Sequence, residues 1–309
     1  MKRIFLFVLL SLILSGVSVR SQTTDSLSTV VSAKDTAWKA GASLSLTFSQ
    51  AYFENWAAGG ERSLALNSRG SVFAKYELDK VVWENLLDLA YGLTNQESTG
   101  YRKNDDLIEY TSKFGYKASK KWYYTAILNM KTQFSKGYDY TKEPEDIISD
   151  FLSPLTVNLA IGMDYKPNDA FSAFLSPANL KLIYVNDTIY SKRNSIESGK
   201  DLKTEFGFIA KIKYQKEIVE NIDFLTKLDI FYDYLDTKVI LYDGNERFKA
   251  PYISWEVLIN LKVWKALSVN LNTHLIYDEN FRELDESGTA KDPKIQFKEV
   301  FGVGLALKF

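Results

Sequence analysis

Residues 301–309 alternate without exception, with Phe301, Val303, Leu305, Leu307 and Phe309 on one face and Gly302, Gly304, Ala306 and Lys308 on the other. Such a period of two predicts a β-strand with one apolar face. Upstream, the same pattern gives apolar faces at Ala42 to Phe48, Leu64 to Tyr76, Trp83 to Leu93, Ile108 to Tyr116, Trp122 to Phe134 and Leu155 to Tyr165. It continues at Phe171 to Leu175, Leu202 to Tyr214, Ile222 to Tyr234, Ile253 to Val263 and Leu267 to Tyr277, which with the terminal segment makes twelve predicted strands. Their alternate positions are mostly Lys, Asp, Glu, Asn, Thr, Ser and Gly. Pro177 interrupts the seventh, and beyond it the apolar face moves to Leu180, Leu182 and Tyr184, which predicts a β-bulge.

The connections are of two kinds. Short ones follow the even strands: Asp79-Lys80, Ser119-Lys120, Pro167-Asn168-Asp169, Lys216 to Glu220 and Lys265-Ala266. Long polar ones are expected after odd strands, for example Asn95 to Asp105, Lys136 to Ile148 and Asp278 to Lys294. Short turns at one end and long loops at the other are the pattern of an outer-membrane barrel with both termini in the periplasm. The aromatic pairs Tyr76 and Trp83, Tyr116 and Trp122, Tyr165 and Phe171, and Tyr214 and Phe224 all flank short turns, where an interfacial girdle belongs. A two-residue turn at Asp79-Lys80 would set Tyr76 against Trp83 outside and Lys75 against Glu84 inside. The fold class predicted is thus all-β, an antiparallel up-and-down transmembrane barrel of about twelve strands, the last closing on the first at Ala42 to Phe48.

Composition narrows the remaining choices. The chain has 19 Tyr, 19 Phe and 6 Trp against 6 Pro, which suits sheet. It has no cysteine, so disulfides, thiolate metal sites, a cysteine nucleophile and a lipoprotein anchor are excluded. A net charge of −1 offers no basic surface for nucleic acid. Lys2 and Arg3 precede an apolar run from Ile4 to Val19, with the small residues Val19 and Ser21 before Gln22. This predicts a signal peptide over residues 1–21. The rival, an anchoring helix, is interrupted by Ser11, Ser15, Gly16 and Ser18 and falls short of the roughly 20 apolar residues of a span. The Ser/Thr-rich residues 22–40 read as a flexible periplasmic segment and residues 41–309 as the barrel.

Several segments carry a family resemblance: Asn55-Trp56-Ala57-Ala58-Gly59-Gly60-Glu61, Asp88-Leu89-Ala90-Tyr91-Gly92, and Gly115 to Tyr124. Ile148 to Pro154 and Met163 to Asp169 add to it. Through these the chain, over roughly Trp38 to Phe309, resembles an outer-membrane barrel family of the Bacteroidota, a domain of unknown function (DUF3078). The resemblance implies location and fold and supplies no activity. The apolar alternation ending on Phe309 likewise resembles the terminal strand that barrel assembly machinery recognises, which makes Phe301, Val303, Leu305, Leu307 and Phe309 the expected closing and assembly signal.

The functional candidates lie on the inward faces: Glu84, Asp88, Glu109, Lys113, Lys131, Asp164, Glu205, Lys211, Lys213, Lys227, Asp229, Glu256 and Lys262. Both signs are mixed. A strongly selective pore is expected to bias one sign, whereas mixed charges can pair and fill the lumen. His274, the single histidine, falls inward with Asn270 and Asn272 and, depending on hairpin register, opposes Glu256. No Gly-x-Ser-x-Gly elbow, His-Glu-x-x-His helix or phosphate loop occurs, and one histidine builds no multi-histidine metal site. No catalytic residue, metal or cofactor is therefore expected. Asn55, Trp56, Gly59 and Gly60 fall in the first long loop, as an inward plug, an external contact or a packed rim. The acidic positions Asp278 to Glu286 lack calcium-loop spacing.

The sequence thus points to a non-enzymatic outer-membrane barrel of a Gram-negative bacterium. Its partners would be outer-membrane lipid, the assembly machinery and small polar solutes, and it would serve as a narrow channel or as a structural or assembly component. An enzyme acting on lipid or lipopolysaccharide, and a secreted soluble β-protein, are the alternatives.

Overall fold

In the computed structural model the described residues are 37–51, 61–140, 146–191, 196, 197, 199–240, 244–264, 266–279 and 292–308. The expected signal peptide, Asn55, Trp56, Gly59, Gly60 and Phe309 lie outside them. The strands are β1 (Trp38–Ala51), β2 (Ser63–Leu78), β3 (Val81–Gln96), β4 (Gly100–Lys117), β5 (Trp122–Thr132), β6 (Gly137–Asp139), β7 (Asp146–Ser149) and β8 (Leu155–Asn168). There follow β9 (Phe171–Tyr184), β10 (Leu202–Val219), β11 (Ile222–Asp233), β12 (Lys238–Ile240), β13 (Glu246–Phe248), β14 (Tyr252–Trp264), β15 (Leu267–Tyr277) and β16 (Gln296–Lys308). β1 begins at Trp38, inside the stretch expected to be a tail.

Twelve of these strands close into an antiparallel barrel, β1-β16-β15-β14-β11-β10-β9-β8-β5-β4-β3-β2 around the wall. The pairs β6-β7 and β12-β13 are small separate hairpins within two of the long connections. Closure removes both sheet edges. It is made by Ser43 to Phe48 against Lys308 to Val303, as the terminal alternation predicts. Both strand termini of this seam lie at the same end as the short turns.

Local chemistry fixes the turns. Asp79 and Asn221 take left-handed conformations, with φ of 52° and 68°, which Asp and Asn tolerate because a short polar side chain can bond locally. The Asp79-Lys80 turn sets Lys75 opposite Glu84 and Tyr76 opposite Trp83. Around it Trp38 packs on Tyr76 and Trp83, with ring centroids 5.2 and 5.8 Å apart. Trp122 on Tyr165 and Tyr214 on Phe224 continue the ring at 4.9 and 6.2 Å.

Pro177 makes the expected bulge. The register of β9 slips between Leu175 and Ala178 against β8 and between Ser176 and Asn179 against β10. Ser176 repairs the ladder there, donating its hydroxyl to the Ile161 carbonyl at 2.7 Å and accepting from the Ala178 N–H at 3.2 Å.

One expectation is corrected. Asn95 to Asp105 is not a long loop, since β3 runs to Gln96 and β4 starts at Gly100. A register shift at Gly92 and Leu93, which pair with Asp105 and Lys103, leaves Asn104 as the extra residue and breaks the period of two.

The barrel is apolar outside and polar inside, the reverse of a water-soluble protein. Leu44, Leu46, Phe48, Leu66, Ile161 and Phe301 are exposed on the outer face. Asp164, Glu205, Asn179, Ser176 and Ser268 are buried inside, each at 1% exposure or less. So continuous an exposed apolar surface marks an interaction face, and a band of alternating strands around a closed barrel fits lipid.

Candidate functional site

Side chains from opposite sides of a closed wall can meet only through the lumen, so contacts that cross the barrel identify its lining. Arg69 on β2 reaches Glu256 on β14 at 3.1 Å and Asp105 on β4 at 3.2 Å. Lys227 on β11 reaches Glu256 at 3.8 Å and Asp88 on β3, the opposite wall, at 3.4 Å. Lys298 on β16 holds the other side of Asp105 at 2.8 Å. Lys298, Asp105, Arg69, Glu256, Lys227 and Asp88 thus form one chain of alternating charge across the barrel. Ser71 anchors its far end, its hydroxyl donating to Asp88 at 2.5 Å.

A second network lines the turn end. Lys113 pairs with Asp164 at 2.6 Å, and Lys166 with Glu84 at 2.7 Å and Asp164 at 3.5 Å. Ser172 links them, donating to Asp164 at 2.8 Å and accepting from Lys113 at 3.1 Å. Elsewhere Lys211 pairs with Asp229 and Lys262 with Asp223. Glu205 lies 2.7 Å from Lys181 and 2.8 Å from Lys203. Glu109 accepts from the Asn129 amide at 2.8 Å and faces Lys131 in register.

Between the networks sits an apolar cluster inside the barrel, Ile127, Ala160, Phe174, Ile209 and Phe231, with Tyr252 against it. The Lys181 ammonium lies 5.0 and 5.5 Å from the Phe231 and Tyr252 ring centres, within cation–π range. Charge pairs and this cluster together crowd one side of the lumen. The facing wall carries small residues, with Gly302 and Gly304 of β16 packed closely on β1. Asn270 of β15 spans β16 there, its amide 3.4 Å from the Thr47 hydroxyl of β1.

His274 stands opposite Glu256 in register, and its Nε2 lies 2.8 Å from the Ser254 hydroxyl. Base catalysis by such a pair needs a third group to orient the ring. Among the described residues none bonds the other ring nitrogen. No cluster of His, Cys, Asp or Glu among the described residues has metal-binding form.

Sequence reading missed Arg69, Lys166, Lys181 and Lys298. Arg69 could have been found from its inward parity between Asn67 and Ser71, whereas Lys298 lies at the very start of β16. Asp105 was hidden by the bulge at Asn104.

At the loop end, Arg247 of the β12-β13 hairpin bonds Glu279 at 2.7 Å, and the Tyr277 hydroxyl donates to the same oxygen at 2.7 Å. Burial works to raise the Glu279 carboxyl, but those hydrogen bonds outweigh it and hold it below the ordinary value. A carboxylate depressed on folding contributes stability above its unfolded value, about 4.3 for Glu, and loses it as pH falls through the folded one. Limited proteolysis should therefore find the hairpin protected at neutral pH and cut faster in acid. Glu279→Gln should be cut faster at neutral pH too, and equal cutting at both pH values would refute the clasp.

These features define a class: a closed, twelve-stranded antiparallel barrel, apolar outside and polar inside, the build of a transmembrane β-barrel. Residues 48–138 match the family model described as protein of unknown function (DUF3078), a narrower span than the resemblance from Trp38 to Phe309. No functionally curated protein matches the sequence. Solved barrels similar to this chain include an outer-membrane channel of Pseudomonas putida F1, at 11% identity and TM-score 0.39 over 90% of this chain and 97% of that one. The translocator domain of the autotransporter NalP from Neisseria meningitidis has 8% identity and TM-score 0.34 over 90% of each chain. The Pseudomonas putida toluene transporter TodX has 11% identity and TM-score 0.31 over 89% of this chain and 80% of that one. At such scores no solute or mechanism carries over.

Proposed function

We propose that this protein is a non-enzymatic outer-membrane channel, termini in the periplasm, that conducts small polar solutes through a narrow lumen crossed by ion pairs. The observation that carries this reading is the Arg69-centred chain. It is built from single side chains rather than a packed plug, and the side chains of Arg69 and Lys227 keep 30% and 31% exposure. Water therefore reaches the crossing point, and a gap opens wherever one pair parts. Mixed charge and the apolar cluster keep the free path small. The outer face meets lipid, residues 1–21 direct export and are removed, and β16 with Phe309 presents the assembly signal.

The filled half of the lumen supports a second reading, a structural or assembly component of the envelope. Planar bilayers separate the two. The channel reading predicts small discrete current steps from purified protein, and a flat trace at saturating protein would leave the structural role.

A further inference from the structure

Lys213 differs from its neighbours in the lumen. Lys113, Lys166, Lys181, Lys211 and Lys227 each reach a carboxylate within ion-pair distance. Lys213, among the described residues, has neither an ion pair nor a hydrogen bond. Its register partner on β11 is Lys227, another cation, and its partner on β9 is Ser172. Like charges directly opposed on a strand pair destabilise it, and cations shielded from bulk water are normally paired.

The position is cationic on two sides, with Lys227 directly opposite. Beyond Ser172 lies Lys113, 3.1 Å from the Ser172 hydroxyl and itself paired with Asp164 at 2.6 Å. The carboxylates that act on Lys213 across the lumen are Glu84 and Asp88. Both are already engaged, Glu84 by Lys166 at 2.7 Å and Asp88 by Ser71 at 2.5 Å and Lys227 at 3.4 Å. An anion from solution would supply the partner that the wall does not, accepting from the Lys213 ammonium and relieving its repulsion with Lys227.

We infer that Lys213, with Lys227 opposite and Lys113 beyond Ser172, forms a binding point for one small oxyanion, a phosphate or carboxylate group, in the turn-end half of the lumen. Its consequence for transport rests on the channel reading: conduction favours anions although the lumen as a whole is mixed in charge. The binding itself does not depend on conduction.

Two measurements keep these apart. Detergent-solubilised full-length protein is titrated calorimetrically with inorganic phosphate and, separately, acetate at fixed ionic strength, which tells which oxyanion the point takes. Lys213→Gln should weaken binding about tenfold, the loss expected for one charge-assisted hydrogen bond, and Lys213→Arg should retain it. Wild-type protein that binds neither anion, or a Gln variant that binds as wild type does, overturns the site. In a potassium chloride gradient across a planar bilayer, the wild-type reversal potential should lie on the anion side and that of Lys213→Glu should move toward the cation side. An unchanged potential overturns the selectivity. A wild-type bilayer without current defeats the channel reading instead, and the titration then decides the site alone.

Discussion

Replacing Gly304 by valine should abolish the closed barrel. A Cβ at this position would lie 1.7 Å from the Leu46 carbonyl oxygen and 2.8 Å from the Thr47 Cα, both backbone atoms of β1, so no side-chain rotation relieves the clash. Gly304 pairs with Thr47 in the seam that joins the first and last strands, where six residue pairs are formed, against fourteen between β1 and β2. Overpacking a core costs typically about 1–3 kcal/mol, and here the strain falls on the contact that closes the sheet. The heat-modifiable band on a denaturing gel, together with the amount recovered in the outer-membrane fraction, measures the outcome. Gly70→Ala is the control, because a Cβ there meets only the Ser43 carbonyl at 3.9 Å. A Gly304→Val protein that assembles at the level of Gly70→Ala would show that the seam tolerates separation.

Arg69→Ala should raise single-channel conductance severalfold while leaving the barrel folded. The guanidinium bridges Glu256 and Asp105, and removing it opens the middle of the crossing. Stability should fall little, by about 1 kcal/mol, because Arg69 is itself partly exposed and neither carboxylate loses its only cation. Asp105 also keeps Lys298 at 2.8 Å and Glu256 keeps Lys227 at 3.8 Å. Arg69→Lys should give an intermediate conductance, since one ammonium replaces a two-pronged donor and cannot hold both carboxylates with the same geometry. Unchanged current in Arg69→Ala would mean that the constriction lies elsewhere, with the apolar cluster around Phe174 the next place to probe.

Much of the wall was legible because a barrel strand writes its two faces directly into alternating residues. The two-residue turn at Asp79-Lys80 fixed the Lys75/Glu84 and Tyr76/Trp83 pairs, and the alternation of Phe301 to Leu307 located the closing strand. Parity failed where the backbone departs from it. The extra residue at Asn104 shifted Asp105 out of phase, so a paired, lumen-facing carboxylate read as part of a loop. It also failed where both faces are apolar: in the run Phe171 to Leu175, Phe174 is 1% exposed inside the barrel while Leu175 is 43% exposed outside. Partner choice across the lumen was not legible at all. Arg69 meets Glu256 because of how far the strands are staggered around the closed wall, a global quantity that no local pattern encodes. The mixed signs were visible in the sequence, but the isolation of Lys213 emerged only once Lys113, Lys211 and Lys227 beside it had each been placed on an acid.

If the apolar face meets lipid and the polar face lines a hydrated lumen, successive residues of one strand must meet different solvents. A chain without cysteine allows a clean test, since each introduced thiol is the only one present. Single cysteines at Ser43, Leu44, Ser45, Leu46, Thr47 and Phe48 in the closing segment of β1 are reacted, in the membrane, with a charged water-soluble thiol reagent and with a lipid-soluble maleimide. Labelling should alternate strictly, with positions 43, 45 and 47 taking the charged reagent and 44, 46 and 48 the lipid-soluble one. Labelling of 44, 46 and 48 by the charged reagent, or uniform labelling along the strand, would contradict it.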